Sequence, residues 1–294
     1  MDRRSTPFSG RFALPELRGR VDATFTDGEP ASIRQPLSDL LAHPGGARDR
    51  QLLLGDAVTV IDLRDGHAFV QAAKDGYCGW VAEAAIGPAV PPTHWVSARA
   101  SHLYSAPKVQ APEIAALPFG ARLAVTGQTG SFAQTAHGHV PLAHLRALTD
   151  RPLDPVEVAE GFVGTPYLWG GNSAAGIDCS GLVQAALLAC GLSCPADSDQ
   201  QKALGHPLDD SVPLQRGDLL FWQGHVAWVS DKRRILHANG HTMSVAFEPI
   251  AAAISRILAQ NGGPVIARRR VIVPIRSFLR APRPGDDKGK VTPG

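Results

Sequence analysis

The sequence has few cysteines, few aromatic residues and almost no excess charge. Its 294 residues include four cysteines, which are too few for a disulfide scaffold in a chain of this length. Aromatic residues make up 6% and the net charge at pH 7 is +2, so the composition favours neither nucleic acid nor an anionic membrane surface as a partner. The cysteines are therefore interpreted as thiols, one of which is a candidate for chemistry.

Long apolar runs are also missing. No stretch approaches the roughly 20 apolar residues that a membrane-spanning helix needs, and the basic start of the chain is not followed by an apolar run of signal-peptide length. If Met1 is the native start, these absences predict a cytoplasmic protein. With 44% hydrophobic and 19% charged residues, the chain can bury a core and is long enough for two or three compact units.

The first half of the chain predicts two small β-barrels behind an N-terminal arm (1–27). Short β-branched and aromatic runs are separated here by Gly, Asp and Pro, which is typical of strands and tight turns. The segments LLLGDAVTV and GYCGWVAEAAI recur as LPFGARLAV and GHVPLAHL about 62 to 65 residues later. This weak repeat predicts one barrel over 28–90 and a second over 91–148.

A third, α+β unit is predicted for residues 149–280. Asp154 followed by Pro155 marks the start of its first helix, GLVQAALLACG predicts a buried helix and SDQQKAL a shorter one. The runs DLLFW, HVAWVS, RILHA, MSVAF and VIVPI then predict successive strands. The remaining residues, 281–294, are rich in Pro, Gly and charge and are predicted to be disordered.

Cys179 is the strongest candidate for chemistry. A glycine-rich turn delivers it to the first turn of the apolar helix, where unpaired amides and the helix dipole favour an anion. We therefore expect the pKa of the thiol to be lowered, and the same amides can form an oxyanion hole. A buried, inert cysteine is the alternative that Cys179 alone leaves open.

Two histidines supply what a cysteine nucleophile needs. His225 stands at the head of one apolar strand and His237 near the end of the next, so adjacent antiparallel strands can hold them side by side. A competing hypothesis is a metal site, because Cys190 and Cys194 are four residues apart, as are His237 and His241. The long separation between the two pairs argues against it, and neither a metal nor a cofactor is expected.

The segment DCSG, the strand GHVAWV and the HA pair twelve residues later resemble the NlpC-type cell-wall peptidases, a papain-like cysteine peptidase family. The resemblance covers about residues 150–275. It implies that Cys179 attacks the amide that follows γ-D-glutamate in peptidoglycan stem peptides, that His225 carries the proton and that His237 orients His225. The implied substrates are murein tripeptides or tetrapeptides.

The first half is similar to the bacterial SH3-like domains of the γ-D-glutamyl-L-diamino acid endopeptidase (dipeptidyl-peptidase VI) branch of that family. The resemblance implies that Tyr77 lies over the cleft and, with Asp178 and Ser180, binds the free amine of L-Ala. It further implies that Trp169 lines the cleft and that Asp197 and Ser198 contact the γ-D-Glu portion.

Two departures accompany the resemblance. The family often has Arg at the position of Ala196, and no acidic counterpart is identified in the first barrel for the amine site. Two other functions are left open by the sequence: a papain-like acyltransferase or thioesterase, and a non-catalytic module that binds wall peptides.

Overall fold

The computed structural model describes residues 1–272, so the predicted disordered tail and most of the VIVPI segment lie outside the described residues. The N-terminal arm contains short 3-10 turns at Arg3–Ser5 and Pro15–Leu17 and two short parallel strands, β1 (Phe12–Ala13) and β2 (Thr24–Phe25). Its Leu14 is buried in one cluster with residues of the first β unit: Ile61, Phe69, Cys78 and Trp80. The arm is thus ordered by contact with that unit.

The first β unit is one seven-stranded antiparallel sheet. Its strands are β3 (Glu29–Ile33), β4 (Leu37–Leu41), β5 (Arg48–Leu53), β6 (Ala57–Arg64), β7 (His67–Ala72), β8 (Cys78–Ala82) and β9 (Ile86–Pro88). Their order in the sheet is β5-β4-β8-β7-β6-β3-β9. Tyr77 immediately precedes β8 and is buried.

The sheet is open, whereas the sequence predicted a closed barrel. The physical reason is visible at edge strand β5, which is covered by the third unit instead of by another strand of its own sheet. The backbone N–H of Gln51 donates to Oδ1 of Asn172, and the N–H of Asn172 donates to Oε1 of Gln51, both at 3.2 Å. The first of these bonds satisfies a backbone N–H at the edge of β5, so this edge does not need a further strand of its own sheet.

The second β unit is also built from short strands, which form two sheets. The strands are β10 (His94–Val96), β11 (Ala100–Tyr104), β12 (Glu113–Pro118), β13 (Arg122–Leu123), β14 (Val125–Thr129), β15 (Phe132–Thr135), β16 (Gly138–Pro141) and β17 (Leu145–Ala147). The sheet orders are β13-β10-β17 and β12-β11-β16-β15-β14, so this unit is also open. The exact domain boundaries stay a prediction.

The third unit is α+β, as predicted. A six-stranded sheet, ordered β20-β25-β21-β22-β23-β24, packs against helices. Its elements, with the small hairpin β18–β19, are α1 (Pro155–Glu160), β18 (Asn172–Ser173), β19 (Gly176–Ile177), α2 (Cys179–Ala189), α3 (Ser198–Gln201), β20 (His206–Pro207), β21 (Asp218–Trp222), β22 (His225–Val229), β23 (Arg234–Asn239), β24 (Ser244–Pro249), α4 (Ile250–Ala259) and β25 (Ala267–Arg270). Within residues 1–272, no helix combines the length and apolarity needed to cross a membrane.

Helix α2 begins where the sequence predicted, and its start is fixed by a cap. The Asp178 side chain accepts a 2.6 Å hydrogen bond from the backbone N–H of Gly181, which satisfies one of the free amides of the first turn. The helix then buries Leu182, Val183 and Leu187 against the sheet, in the main core. Cys179 is thereby held as the first residue of a rigid element.

Gly170 allows the third unit to approach the first. Its φ is +69°, and a Cβ there would lie 2.5 Å from the carbonyl oxygen of Asp49 on β5. Its N–H also donates to Oδ2 of Asp178 at 3.0 Å. A side chain at this position would therefore both strain the backbone and push the loop away from the Asp178 carboxylate.

We expect Gly170→Ala to lower the free energy of unfolding by about 1 to 3 kcal/mol, because it combines positive φ with a backbone clash. Gly164→Ala is the matched control, since Gly164 has φ +82° but nothing within 4 Å of the added methyl group. Thermal denaturation of both variants separates the two contributions. Equal losses of stability would show that the approach to Asp49 costs nothing.

Candidate active site

Cys179 lies at the N-terminus of α2 with its side chain nearly buried, at 7% exposure. The backbone N–H groups of Val226 and Ser180 lie near its sulfur and favour the thiolate. Val226 follows His225 directly in strand β22, so the strand that brings an amide towards the thiol also carries the histidine. The amides that the sequence placed around the nucleophile are therefore present, one from its own helix and one from the sheet.

The expected lowering of the Cys179 pKa is wrong for this structure. Burial raises the pKa of the thiol to about 12, and the nearby Asp178 carboxylate raises it further. The amides of Val226 and Ser180 and the charge of Arg50 act in the opposite direction but do not compensate. Cys179 therefore rests as a thiol, and its proton must leave as the sulfur attacks.

His225 and His237 are adjacent, as the strand pattern predicted. Strands β22 and β23 are antiparallel, and Nε2 of His225 lies 2.9 Å from Nδ1 of His237. This contact leaves Nδ1 of His225 as the ring nitrogen that can accept the thiol proton of Cys179. For that role Nε2 of His225 must carry the hydrogen and donate it to His237.

Glu248 extends the pair and was not found from the sequence. Its Oε2 lies 3.2 Å from Nε2 of His237, and Arg256 holds both carboxylate oxygens, at 2.9 and 2.7 Å. The 3.2 Å contact is an ion-pair distance whose angle falls outside hydrogen-bond geometry. A carboxylate there favours the hydrogen of His237 on Nε2, which leaves Nδ1 to accept from His225.

We expect Glu248→Gln to lower kcat/KM about ten- to a hundredfold, because the amide no longer fixes the tautomer of His237. KM is expected to change little. Initial-rate kinetics over a range of pH check this, with Glu113→Gln on the second β unit as a control for loss of a surface carboxylate. A Glu248→Gln enzyme with the wild-type kcat would show that Glu248 does not orient His237 for catalysis.

Both histidines are neutral at rest. Burial lowers the pKa of His225 to about 3 and that of His237 to about 4, in each case from an ordinary value of 6.5. The unfolded chain therefore binds these protons at a higher pH than the folded protein does. The stability that neutral histidines contribute is fully present above about pH 6.5 and is lost as the pH falls towards 4.

We accordingly expect the melting temperature to fall between pH 6.5 and about 4.5, before the carboxylates titrate. A His225→Gln, His237→Gln double variant should show a shallower fall over the same window. Calorimetry or thermal circular dichroism at several pH values makes the measurement. Identical pH slopes for the two proteins would contradict neutral, buried histidines.

Tyr167 is a second residue that the sequence analysis missed, although it lies in the segment TPYLWGG, just before the glycine-rich turn that leads to Cys179. Burial raises the pKa of its phenol, and the charge of Asp178, with that of Cys179 whenever it is a thiolate, raises it further, so the hydroxyl stays protonated beside the nucleophile. A protonated phenol there can donate to an oxyanion. The signal available in the sequence was a tyrosine just before the glycine-rich turn.

The side chains expected to bind the substrate amine converge on a buried arginine. Nη1 of Arg50, on β5, lies 3.0 Å from both Oδ2 of Asp178 and Oγ of Ser180, and 3.6 Å from Oδ1 of Asp197. Tyr77 belongs to the same group, because the charges of Asp197 and Arg50 both act on its phenol, whose pKa is raised mainly by burial. The first β unit thus contributes a cation that the sequence did not reveal.

The other expected substrate residues surround this group. Asp197 precedes α3 without capping it, and Ser198 is the first, half-buried residue of that helix. Trp169 stands 70% exposed on the loop before Gly170. The structure therefore brings Tyr77, Asp178, Ser180 and Asp197 together and places Ser198 and Trp169 on flanking segments.

For each of the two departures from the family pattern, the structure has another charged residue nearby. Ala196 is buried in the core of the first β unit together with Tyr77, where an arginine side chain has no room, and Arg50 supplies a cation near Asp197 instead. An acidic residue of the first β unit also lies near the cleft, because the charge of Asp49 acts on the Tyr77 phenol.

The competing metal site is not assembled. Cys190 ends α2 and Cys194 is buried beside Gln201, while His237 faces its histidine and glutamate neighbours. Over the described part of the chain, no group of three or more His, Cys, Asp or Glu is arranged to hold a metal ion. Burial raises the pKa of both thiols, in keeping with cysteines that pack the end of the helix.

Comparison with known families gives the class of this protein. Residues 164–256 match the NlpC/P60 family, and residues 40–86 match the bacterial dipeptidyl-peptidase Sh3 domain. The first range contains Cys179, His225, His237 and Glu248, and the second contains Arg50 and Tyr77. The chain therefore carries a domain that matches the NlpC/P60 family behind one that matches the bacterial dipeptidyl-peptidase Sh3 domain.

Individual relatives agree with this assignment. The chain is 27% identical over 239 residues to dipeptidyl-peptidase 6 of Lysinibacillus sphaericus, which covers 78% of this chain and 83% of that protein. It is 48% identical over 71 residues to a γ-D-glutamyl-L-lysine dipeptidyl-peptidase of Bacillus subtilis. That match covers 24% of this chain and 23% of the Bacillus protein. A crystal structure of an NlpC/P60 family protein from Bacillus cereus shares the fold, with a TM-score of 0.71 at 21% identity over 84% of this chain and all of that one.

Proposed function

We propose that this peptidase hydrolyses the bond between γ-D-glutamate and the diamino acid of peptidoglycan stem peptides that carry a free N-terminal L-Ala, and releases L-Ala-γ-D-Glu. The observation that carries the proposal is the shared polar group at the boundary of two units. Asp178 and Ser180 flank the nucleophile and are joined to Arg50, Tyr77 and Asp197, as the distances above describe. A substrate site bounded on one side by the first β unit favours a short peptide end over a longer chain.

The catalytic steps follow from the resting protonation states. Nδ1 of His225 takes the proton of Cys179 while the sulfur attacks the γ-carbonyl carbon, and the developing oxyanion is stabilised by helix and sheet amides. His225 then gives this proton to the departing amine of the diamino acid. The remaining thioester is hydrolysed by water, with His225 again the base, which regenerates the thiol.

The substrate requirement places the reaction in a sequence. A stem peptide has a free L-Ala amine only after the amide joining it to the glycan has been cleaved, so an amidase must act first. The proposed role is therefore recycling of wall peptides, and the expected setting is the compartment that receives them. The names of the two dipeptidyl-peptidase relatives support this choice over an acyltransferase.

The test compares two forms of one substrate. Wild-type protein and a Cys179→Ala control are incubated with L-Ala-γ-D-Glu-diaminopimelate and with its N-acetylated form, and products are identified by mass spectrometry. Release of L-Ala-γ-D-Glu from the free-amine peptide alone is the expected result. Cleavage of both forms would keep the peptidase and reject the amine requirement, whereas cleavage of neither would reject the proposed function.

A further inference from the structure

Asp178, the residue that the family resemblance assigns to the substrate amine, has no acceptor position left. Its Oδ1 accepts from Gly181 N at 2.6 Å, Ser180 Oγ at 3.1 Å and Arg50 Nη1 at 3.3 Å. Its Oδ2 accepts from Gly170 N at 3.0 Å and again from Arg50 Nη1 at 3.0 Å. A carboxylate offers about four lone-pair positions, so an incoming ammonium group must displace one of these donors.

Arg50 is the donor least able to leave. Its side chain is 4% exposed, and Asp178 is its nearest carboxylate. Within the described residues its Nε and Nη2 atoms have no hydrogen-bond partner, so the guanidinium is already incompletely satisfied. Removing Asp178 from it would leave a buried cation with still fewer partners, which is strongly unfavourable.

Asp197 has the opposite properties. Its side chain is 23% exposed, it makes no capping bond to α3, and Arg50 is 3.6 Å from its Oδ1. Its close partner is Arg4 of the N-terminal arm, whose Nη1 donates to Oδ2 at 2.7 Å. The Tyr77 phenol is near enough for the Asp197 charge to act on it. This carboxylate becomes available if one exposed partner moves.

Arg4 shows that a cation fits at Asp197. The arginine reaches across from the arm, also binds Asp2 and Asp199, and is itself 24% exposed. Because Arg4 is 24% exposed, against 4% for Arg50, a displaced Arg4 side chain can turn into water, whereas Arg50 would stay a buried cation. A substrate ammonium can therefore replace the guanidinium at Asp197 far more easily than it can replace Arg50 at Asp178.

We infer that Asp197, and not Asp178, receives the free amine of the substrate, that Arg50 determines this specificity by occupying Asp178, and that Arg4 covers the receptor until substrate displaces it. The inference rests on the proposed function and assigns a residue to its amine requirement. Asp178 then serves the helix start and the position of Cys179. Arg50 acts as a positioning residue, since it touches Asp178 and not the reacting atoms.

Steady-state kinetics on L-Ala-γ-D-Glu-diaminopimelate test the inference. Asp197→Asn should raise KM about tenfold or more with kcat within about threefold of wild type, because a charged partner of the ammonium is lost. Arg4→Gln should lower KM about three- to tenfold, because the competing cation is removed. Arg20→Gln, an exposed arginine of the same arm, is the matched control and should leave KM unchanged.

The outcomes separate the inference from the function on which it rests. A wild-type enzyme that leaves the γ-glutamyl bond intact would reject the proposed function and the inference with it. An active wild type with an unchanged KM in Asp197→Asn, or a raised KM in Arg4→Gln, would overturn the inference alone. Thermal unfolding verifies that each variant is folded, and because Arg4 lies outside the three folded units its variant provides a result even if Asp197→Asn fails to fold.

Discussion

Replacing Cys179 with alanine is expected to lower kcat/KM for the stem tripeptide by about 10⁴-fold or more, because no other group at the head of α2 can form the thioester. The variant should remain folded, since alanine fills most of the volume and the cap from Asp178 to Gly181 is untouched. Product formation followed by mass spectrometry over hours makes the low rate measurable.

Cys190→Ala is the matched control for this prediction. Cys190 lies at the other end of the same helix and is also a free thiol, so loss of a cysteine from α2 is reproduced without loss of the nucleophile. It should keep wild-type kinetics. Substantial turnover by Cys179→Ala would show that Cys179 is not the nucleophile.

The second large effect is expected at His225. His225→Gln should lower kcat by about 10³-fold or more, because Gln cannot accept the thiol proton and the resting thiol, with a pKa of about 12, then has no base. KM should change far less, since His225 acts on Cys179 and the leaving amine. Single-turnover kinetics measure the chemical step directly.

His241→Gln serves as its control. His241 is exposed on the turn between β23 and β24, close in sequence to His237 but outside the hydrogen-bonded pair. Wild-type rates are expected for it. If His241→Gln and His225→Gln lost activity equally, the loss would reflect general damage to the sheet and not removal of a base.

Local signals in the sequence identified the centre of the site. Asp178 and the glycine-rich turn marked the start of α2, and two apolar strands separated by a short turn placed His225 beside His237. These features depend on capping and on strand alternation, which are properties of neighbouring residues. For that reason the start of α2 at Cys179, the hairpin and the contact of His225 with His237 could be predicted without a structure.

Features that depend on register or on contacts between units could not be predicted. Glu248 lies two residues beyond Ala246, the partner of His237 in the β23–β24 ladder, so its approach to His237 needs the exact register. Arg50 is separated from Asp178 by 128 residues and reaches it only because β5 is an edge strand against the third unit. No local pattern distinguishes such an arginine from a solvated one.

Two differences from the sequence analysis have simpler causes. The raised pKa of Cys179 follows from burial, which a helix-start argument does not include. Helix α4 was not assigned, although Ile250, Ala253, Ile254 and Ile257 have helical spacing and pack on the sheet. The apolar spacing of α4 was readable in the sequence, whereas the burial of the Cys179 thiol was not.

The central claim is that Cys179 attacks the γ-carbonyl of a dipeptidyl unit with a free amine, and an active-site-directed probe tests it most directly. L-Ala-γ-D-Glu bearing a chloromethyl ketone in place of the scissile amide is incubated with the protein, and the labelled cysteine is located by peptide mass spectrometry. The chain provides its own controls in Cys78, Cys190 and Cys194. Stoichiometric labelling of Cys179 alone, prevented by excess L-Ala-γ-D-Glu, is the predicted result. Labelling of another cysteine, or full turnover by a protein that the probe does not modify at Cys179, would contradict the account.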